Sequence, residues 1–160
     1  METFFTATLW VAAIGCGLMA GVYFTFSAFV MQAFAAMPTP SAIKAMNSIN
    51  KVIVSSAFLP LFFGTTIAAV LLIGQTLYTV SLAQEPYSML GGVIYLIGMF
   101  FCTIAFNIPL NNRLAALDPD AAEAEQVWQH YAKVWTRWNH IRTLASVTAS
   151  LLFTYALSIS

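Results

Sequence analysis

An all-α bundle of four membrane-crossing helices is the fold this chain predicts, and three observations predict it. Hydrophobic residues make up 60% of the 160 residues and charged residues only 8%, where a soluble domain has roughly 25% charged. Four apolar stretches, each about the 20 residues a helix needs to cross a bilayer, use half of the chain and leave no room for a second soluble domain. All six lysines and arginines fall between Lys44 and Lys51 or between Arg113 and Arg142. Lysine and arginine concentrate in cytoplasmic loops, so the two basic segments are expected in the cytoplasm, with both termini and the 75–87 loop on the far side of a plasma or inner membrane. A formal charge of zero argues against a nucleic-acid partner; the lipid bilayer is the expected environment.

The first span runs from about Phe4 to Ala36 without a charge. It exceeds the required length, so it tilts or projects. Met1-Glu2-Thr3 is acidic where a signal peptide needs a basic residue, and the apolar run after it is too long, so the segment is expected to stay as a span. Gly17 and Gly21 have the small-xxx-small spacing that lets helices approach. They serve either packing within the bundle or a homo-oligomer seam. Met37-Pro38-Thr39-Pro40 then breaks the helix. Thr39 is expected as N-cap with Pro40 at the first helical position, and the stripe Ile43, Met46, Ile49, Ile53 carries an interfacial helix directly into span two, residues 52–73. Pro60 lies inside that span and frees the Ser56 carbonyl, predicting a kink.

Span three is expected over residues 87–106, after a short loop ending at Pro86. Residues 37–51 and 107–140 are then the cytoplasmic segments. Asp118-Pro119-Asp120, with Glu123 and Glu125 nearby, reads as a helix start with an Asp cap, proline at N1 and acids at the positive end of the dipole. No breaker follows. One helix of about 40 residues, close to 60 Å, reaches from the cytosol through span four at 141–157. Cys16 and Cys102 lie in apolar stretches and read as small buried hydrophobes.

The residues able to carry chemistry gather at the basic end. Trp128, Tyr131, Trp135, Trp138 and Arg142 are spaced 3, 4, 3 and 4 residues apart and share one helix face. They form either a packing and anchoring stripe or one wall of a site for a flat aromatic ligand. Asn139 lies beside them, Asn107 and Asn111 share a face at the end of span three, and Asn47 and Asn50 lie at the matching end of span two. Amides at this depth commonly tie helices together, yet so many at one depth suggest a polar site. A cation inside a span faces a cavity, a lipid phosphate or a partner, or snorkels to the headgroups; Arg142 admits each reading. Pro109 deprives the Ala105 carbonyl of its helical donor if the helix continues, and makes Asn107 a cap if it does not.

His130 and His140 are ten residues apart on one helix and so on different faces, unlike the i, i+4 pair of a zinc helix. No carboxylate lies within a turn to orient either. No Ser-His-Asp order, CxxC or phosphate loop occurs. No metal site and no cofactor are predicted, although a single histidine could still serve a haem or metal, and His140 is a candidate proton carrier.

The run Asn107-Ile108-Pro109-Leu110-Asn111, followed after about 25 residues by Trp135-Thr136-Arg137-Trp138-Asn139-His140-Ile141-Arg142, resembles the paired signature of the DUF1772 or anthrone oxygenase-like membrane proteins. Ile49-Asn50 before span two also fits, and the resemblance extends over essentially the whole chain in length and span order. It implies a four-helix membrane protein. For some fungal relatives it implies oxidation of an anthrone to an anthraquinone by molecular oxygen without a cofactor. On that resemblance Asn107, Asn111, Asn139 and Arg142 would bind and polarise the oxygen functions of the substrate, with Asn50 and Tyr131 beside them. Trp135 and Trp138 would stack on its rings. The proton would leave to His140 or His130, or through the substrate's own ionisation. Two other classes stay open on the residues alone. One is a non-catalytic binding or transport protein; the outer halves of the spans offer only Thr6, Thr8, Thr65, Thr66 and Thr154 and no charge, which disfavours an ion pathway. The other is an accessory subunit of a membrane redox complex, holding a quinone-like ligand.

Overall fold

The computed structural model describes residues 2–80 and 86–159, with Thr79 and Val80 described in backbone only. Those residues are all-helical, and four of the helices are long and apolar enough to cross a membrane. The chain is thus a multi-pass integral membrane protein.

Helix α1 (Glu2–Ala35) crosses first and ends just before Met37-Pro38, since a residue preceding proline is pushed out of the helical region. Pro38, with ψ of 136°, flanks the next helix, α2 (Thr39–Ile53). Thr39 is therefore its first residue and Pro40 its second, one position later than expected, and the Thr39 side chain makes no cap. The Pro38 carbonyl already accepts from the Ala42 N–H at 3.1 Å.

The expected continuity between α2 and the second span does not hold. Residues 54–57 form a break, and α3 starts at Phe58 (Phe58–Gln75, continuing as a wide turn over Thr76–Val80). Pro60 thus sits in the first turn of a new helix, where a missing N–H does no harm, and is not a mid-span kink. The Ser56 carbonyl that Pro60 cannot serve accepts from the Leu59 N–H at 3.2 Å, and the Ser56 hydroxyl accepts from the Phe58 N–H at 3.2 Å. Of the expected 75–87 loop, 76–80 is helical and 81–85 lies outside the described residues.

Helix α4 (Pro86–Ala115) runs straight through Pro109. It does so by widening: Leu96–Phe101 and Thr103–Asn107 are π-helical, and the Ile108 N–H donates to the Thr103 carbonyl five residues back. A wider turn makes room for the proline ring, which would otherwise press on the carbonyl of residue i−4. The Asp118-Pro119-Asp120 segment is a turn rather than a helix start. Asp118 Oδ1 accepts from the Asp120 N–H at 3.1 Å and the Asp118 carbonyl accepts from the Ala121 N–H at 3.1 Å. Helix α5 begins at Ala124 and runs 36 residues to Ile159, about 54 Å at 1.5 Å per residue.

Helix α5 is the axis of the bundle: it packs along α1 and α4, and α3 packs on α1 and α4. Small residues allow the close approaches. A Cβ on Gly98 would lie 2.5 Å from the Cβ of Ala145, and one on Gly91 would lie 2.9 Å from the Phe153 ring. Gly17 and Gly21 are exposed; Gly17 looks toward Ser150, and Gly21 has open space around it. Cys16 and Cys102 are buried and unpaired, as expected. One core fills the middle of the bundle around Leu9, Cys16, Met19, Leu72, Tyr95, Met99 and Phe153. A second, under α2, joins Ile43, Met46 and Leu114 to Trp128, Tyr131 and Trp135. Where the two cores meet, polar side chains enter the interior.

Candidate functional site

The buried edge of α5 in this region reads Trp128, Tyr131, Trp135, Asn139, Arg142, a spacing of 3, 4, 4 and 3. With 3.6 residues per turn, either residue 138 or residue 139 could follow Trp135 on that face. The α1 seam takes Asn139. Its Nδ2 donates to the Tyr23 carbonyl and to the Ser27 hydroxyl, each at 2.7 Å, and its Oδ1 accepts from Arg142 Nη2 at 2.7 Å. The Tyr23 carbonyl lies just ahead of the π-helical turn Phe26–Val30 of α1. Trp138 turns to the other side and stacks flat on Phe106, with ring centroids 3.6 Å apart and planes inclined by 2°.

Arg142 is 5% exposed and does not snorkel. Its Cζ lies 4.4 Å from the Tyr23 ring centroid and 5.0 Å from that of Trp135, both within the roughly 6 Å over which a ring face attracts a cation. Its Nε has no hydrogen-bond partner. Among the described residues the ion pair is Lys44 with Asp120 at 3.5 Å, on the surface; Arg142 has no carboxylate. A buried cation with no opposite charge beside it is expensive, so this arrangement favours an anion.

Beside the guanidinium lies a cavity of about 230 Å³. Its polar liners are Tyr23, Asn50, Thr103, Asn111, Trp135 and Arg142, and Phe58, Phe62, Phe100 and Ile104 are among its apolar walls. Two residues of its lining carry further buried donors with no hydrogen-bond partner, Trp135 Nε1 and Asn50 Nδ2. Three N–H groups in the lining residues thus have no protein acceptor. Tyr131 stands behind Asn111, its hydroxyl donating to Asn111 Oδ1 at 2.9 Å.

Of the residues singled out in the sequence, Asn50, Asn111, Trp135 and Arg142 line the cavity. Asn139, Asn107 and Tyr131 are buried around it: Asn107 Nδ2 donates to the Trp135 carbonyl at 3.3 Å and fixes α4 against α5 instead of capping a helix. Trp138 and His140 lie outside. His140 is exposed, with Nδ1 2.9 Å from the Ser27 hydroxyl. Tyr23, Phe26 and the Phe58/Phe62 pair were not singled out. They carry no pattern of their own in the sequence, because α1 and α3 are apolar all round and only packing decides which face meets Arg142.

A second hollow, about 290 Å³, lies between α4 and α5 at the basic end, lined by exposed Arg113 and His130 and by Tyr131. None of the unpartnered buried polar atoms belongs to its lining, so the Arg142 cavity is the better candidate although it is smaller. Among the described residues no three His, Cys, Asp or Glu side chains come together. A family model described as Anthrone oxygenase matches residues 51–152 of the chain. No curated protein and no solved structure matches it.

Proposed function

The chain belongs to the anthrone oxygenase family, and on that premise we propose that it is a membrane-embedded, cofactor-independent oxygenase acting on a small flat anthrone- or phenol-type substrate, held beside Arg142 at the cytoplasmic end of the bundle. One observation carries this reading: a buried guanidinium without a carboxylate partner, with Nε free, lines one cavity together with two residues whose buried N–H donors are also unpartnered. An acceptor-rich, anionic group fits such a site, and the oxygen of an ionised anthrone is one.

The reaction balances as anthrone plus O₂ giving anthraquinone plus water. The methylene carbon loses one proton as the enolate forms, and that electron-rich carbon then bonds to oxygen. The second C–H bond breaks as the O–O bond breaks, so one oxygen atom stays as the new carbonyl and the other leaves as water. The substrate itself is the reductant. The protein's part is to bind the ring, keep water out and stabilise the anion. Trp135 supplies a ring wall, Arg142 and Asn50 supply donors, and Asn111 is held in place by Tyr131. Fixed donors in a dry site stabilise developing charge far better than water does. No carboxylate is at hand and His140 is outside the cavity, so the substrate ionises at the membrane interface, giving its proton to water, and the guanidinium holds the anion that enters; a proton returns when the O–O bond breaks and water forms.

The threonines of the opposite half support a closed site over a conducting path: Thr8, Thr66 and Thr154 each donate to the carbonyl four residues back on their own helix. The test is oxygen uptake by the purified protein with an anthrone substrate. One O₂ should be consumed per quinone formed, and Arg142→Gln should lower kcat by about 10²- to 10³-fold, as loss of one oxyanion donor does. No uptake by the wild type, or an unchanged rate in the variant, refutes the reading.

A further inference from the structure

The Arg142 cavity has an uneven rim. Its polar liners are all buried or half-buried: Tyr23, Asn50, Thr103, Asn111, Trp135 and Arg142. Its exposed liners are Val54, Phe63, Ile104 and Ile108, at 57%, 48%, 46% and 42% exposure, and all four are apolar. Val54 belongs to the break between α2 and α3, and Phe63, Ile104 and Ile108 lie on spans α3 and α4. Exposed apolar side chains on spans face hydrocarbon. The cavity therefore opens sideways, between the start of α3 and the widened part of α4, toward lipid and not toward water.

Size points the same way. Pockets that enclose a drug-sized ligand hold roughly 300–1,000 Å³, and this one holds about 230 Å³. It takes the head of a molecule and leaves the rest outside, and outside is the bilayer core. We propose that the substrate is a lipid-borne phenol of the anthrone type, with the oxidisable methylene carbon that the reaction needs: a flat oxygenated ring seated against Trp135 and Arg142, with an alkyl or isoprenoid tail passing out between Val54, Phe63 and Ile104 into the membrane. This deepens the oxygenase reading by naming the substrate class, and it rests on that reading for the placement of the ring. The break at 54–57, which the continuous helix expected from sequence would have closed, forms one jamb of the window.

The test is equilibrium binding under anaerobic conditions in lipid nanodiscs, with two probes, 1,4-hydroquinone and 2-decyl-1,4-hydroquinone. Affinities are referred to the concentration of each probe in the bilayer, measured on empty discs. Lipid tails are as apolar as leucine, so a tail that stays in lipid changes nothing, and the two probes should bind the wild-type protein about equally. The double variant Val54→Trp/Phe63→Trp fills the window. It should weaken the decyl probe by about tenfold or more, the cost of forcing a chain into filled space, and leave the short probe within about twofold, which also shows that the variant is folded. A decyl probe excluded from the wild type, a double variant that affects both probes alike or neither, or no binding of either probe overturns the proposal. Arg142→Gln separates the two ideas. If it weakens neither probe while the window contrast persists, the placement of the ring at Arg142 fails and the lateral opening stands.

Discussion

Replacing Asn139 by leucine should destabilise the protein more than any other single amide change. Asn139 is fully buried and makes three bonds at 2.7 Å, to the Tyr23 carbonyl, the Ser27 hydroxyl and Arg142 Nη2. Leucine keeps the volume and removes all three. Ser27 retains His140 and Thr143 as neighbours, at 2.9 and 3.2 Å, but the Tyr23 carbonyl loses its inter-helix donor and Arg142 the amide oxygen that it donates to. Inter-helix hydrogen bonds in membranes average about 0.6 kcal/mol and reach about 1.7, and bonds to charged groups are worth about 1.5–3 kcal/mol. The sum for Asn139→Leu is about 2–4 kcal/mol. Asn47→Ala, which removes one half-buried bond of 3.3 Å to the Leu114 carbonyl, should cost under about 1 kcal/mol. Reversible unfolding by SDS in mixed micelles, followed by tryptophan fluorescence, measures both. If Asn139→Leu costs no more than Asn47→Ala, the view that this amide ties α1, α5 and the buried guanidinium together is refuted.

Trp135→Ala should weaken ring binding by about tenfold or more, since aromatic pairing is worth about 0.5–1.5 kcal/mol beyond the area buried; Trp135→Phe should recover the stacking part of that loss, and titration of an anthrone probe distinguishes the two. Gly98→Ala should cost about 1–3 kcal/mol by overpacking against Ala145, visible in the same SDS titration, whereas Gly21→Ala, with open space around Gly21, should be nearly silent.

The four spans and their order were legible because hydropathy over 20 residues needs no knowledge of packing. The buried stripe of α5 was legible for a similar reason: Trp128, Tyr131, Trp135 and Arg142 keep helical spacing. Choosing between Trp138 and Asn139 was not, because residues 138 and 139 straddle the same face and the narrow α1 seam admits the smaller one. The break at 54–57 was hidden by an apolar stripe that runs unbroken through Ile49 and Ile53. Its local signal was Ser55-Ser56, whose hydroxyls turn back to the Val52 and Ile53 carbonyls at 3.0 and 2.8 Å. The π-helical turn of α1 has no proline beside it to announce it, and lies where Asn139 meets Tyr23. The aromatic wall from α1 and α3 was illegible because helices apolar on every side do not declare which face is interior.

The central claim is that Arg142 holds the substrate as its anion. The most direct test is the absorbance spectrum of an anthrone bound to the protein without oxygen at neutral pH. The wild type should show the red-shifted enolate band, and Arg142→Gln the spectrum of the neutral ketone at equal occupancy. A neutral ligand in the wild type, or the same enolate band in both proteins, would contradict it.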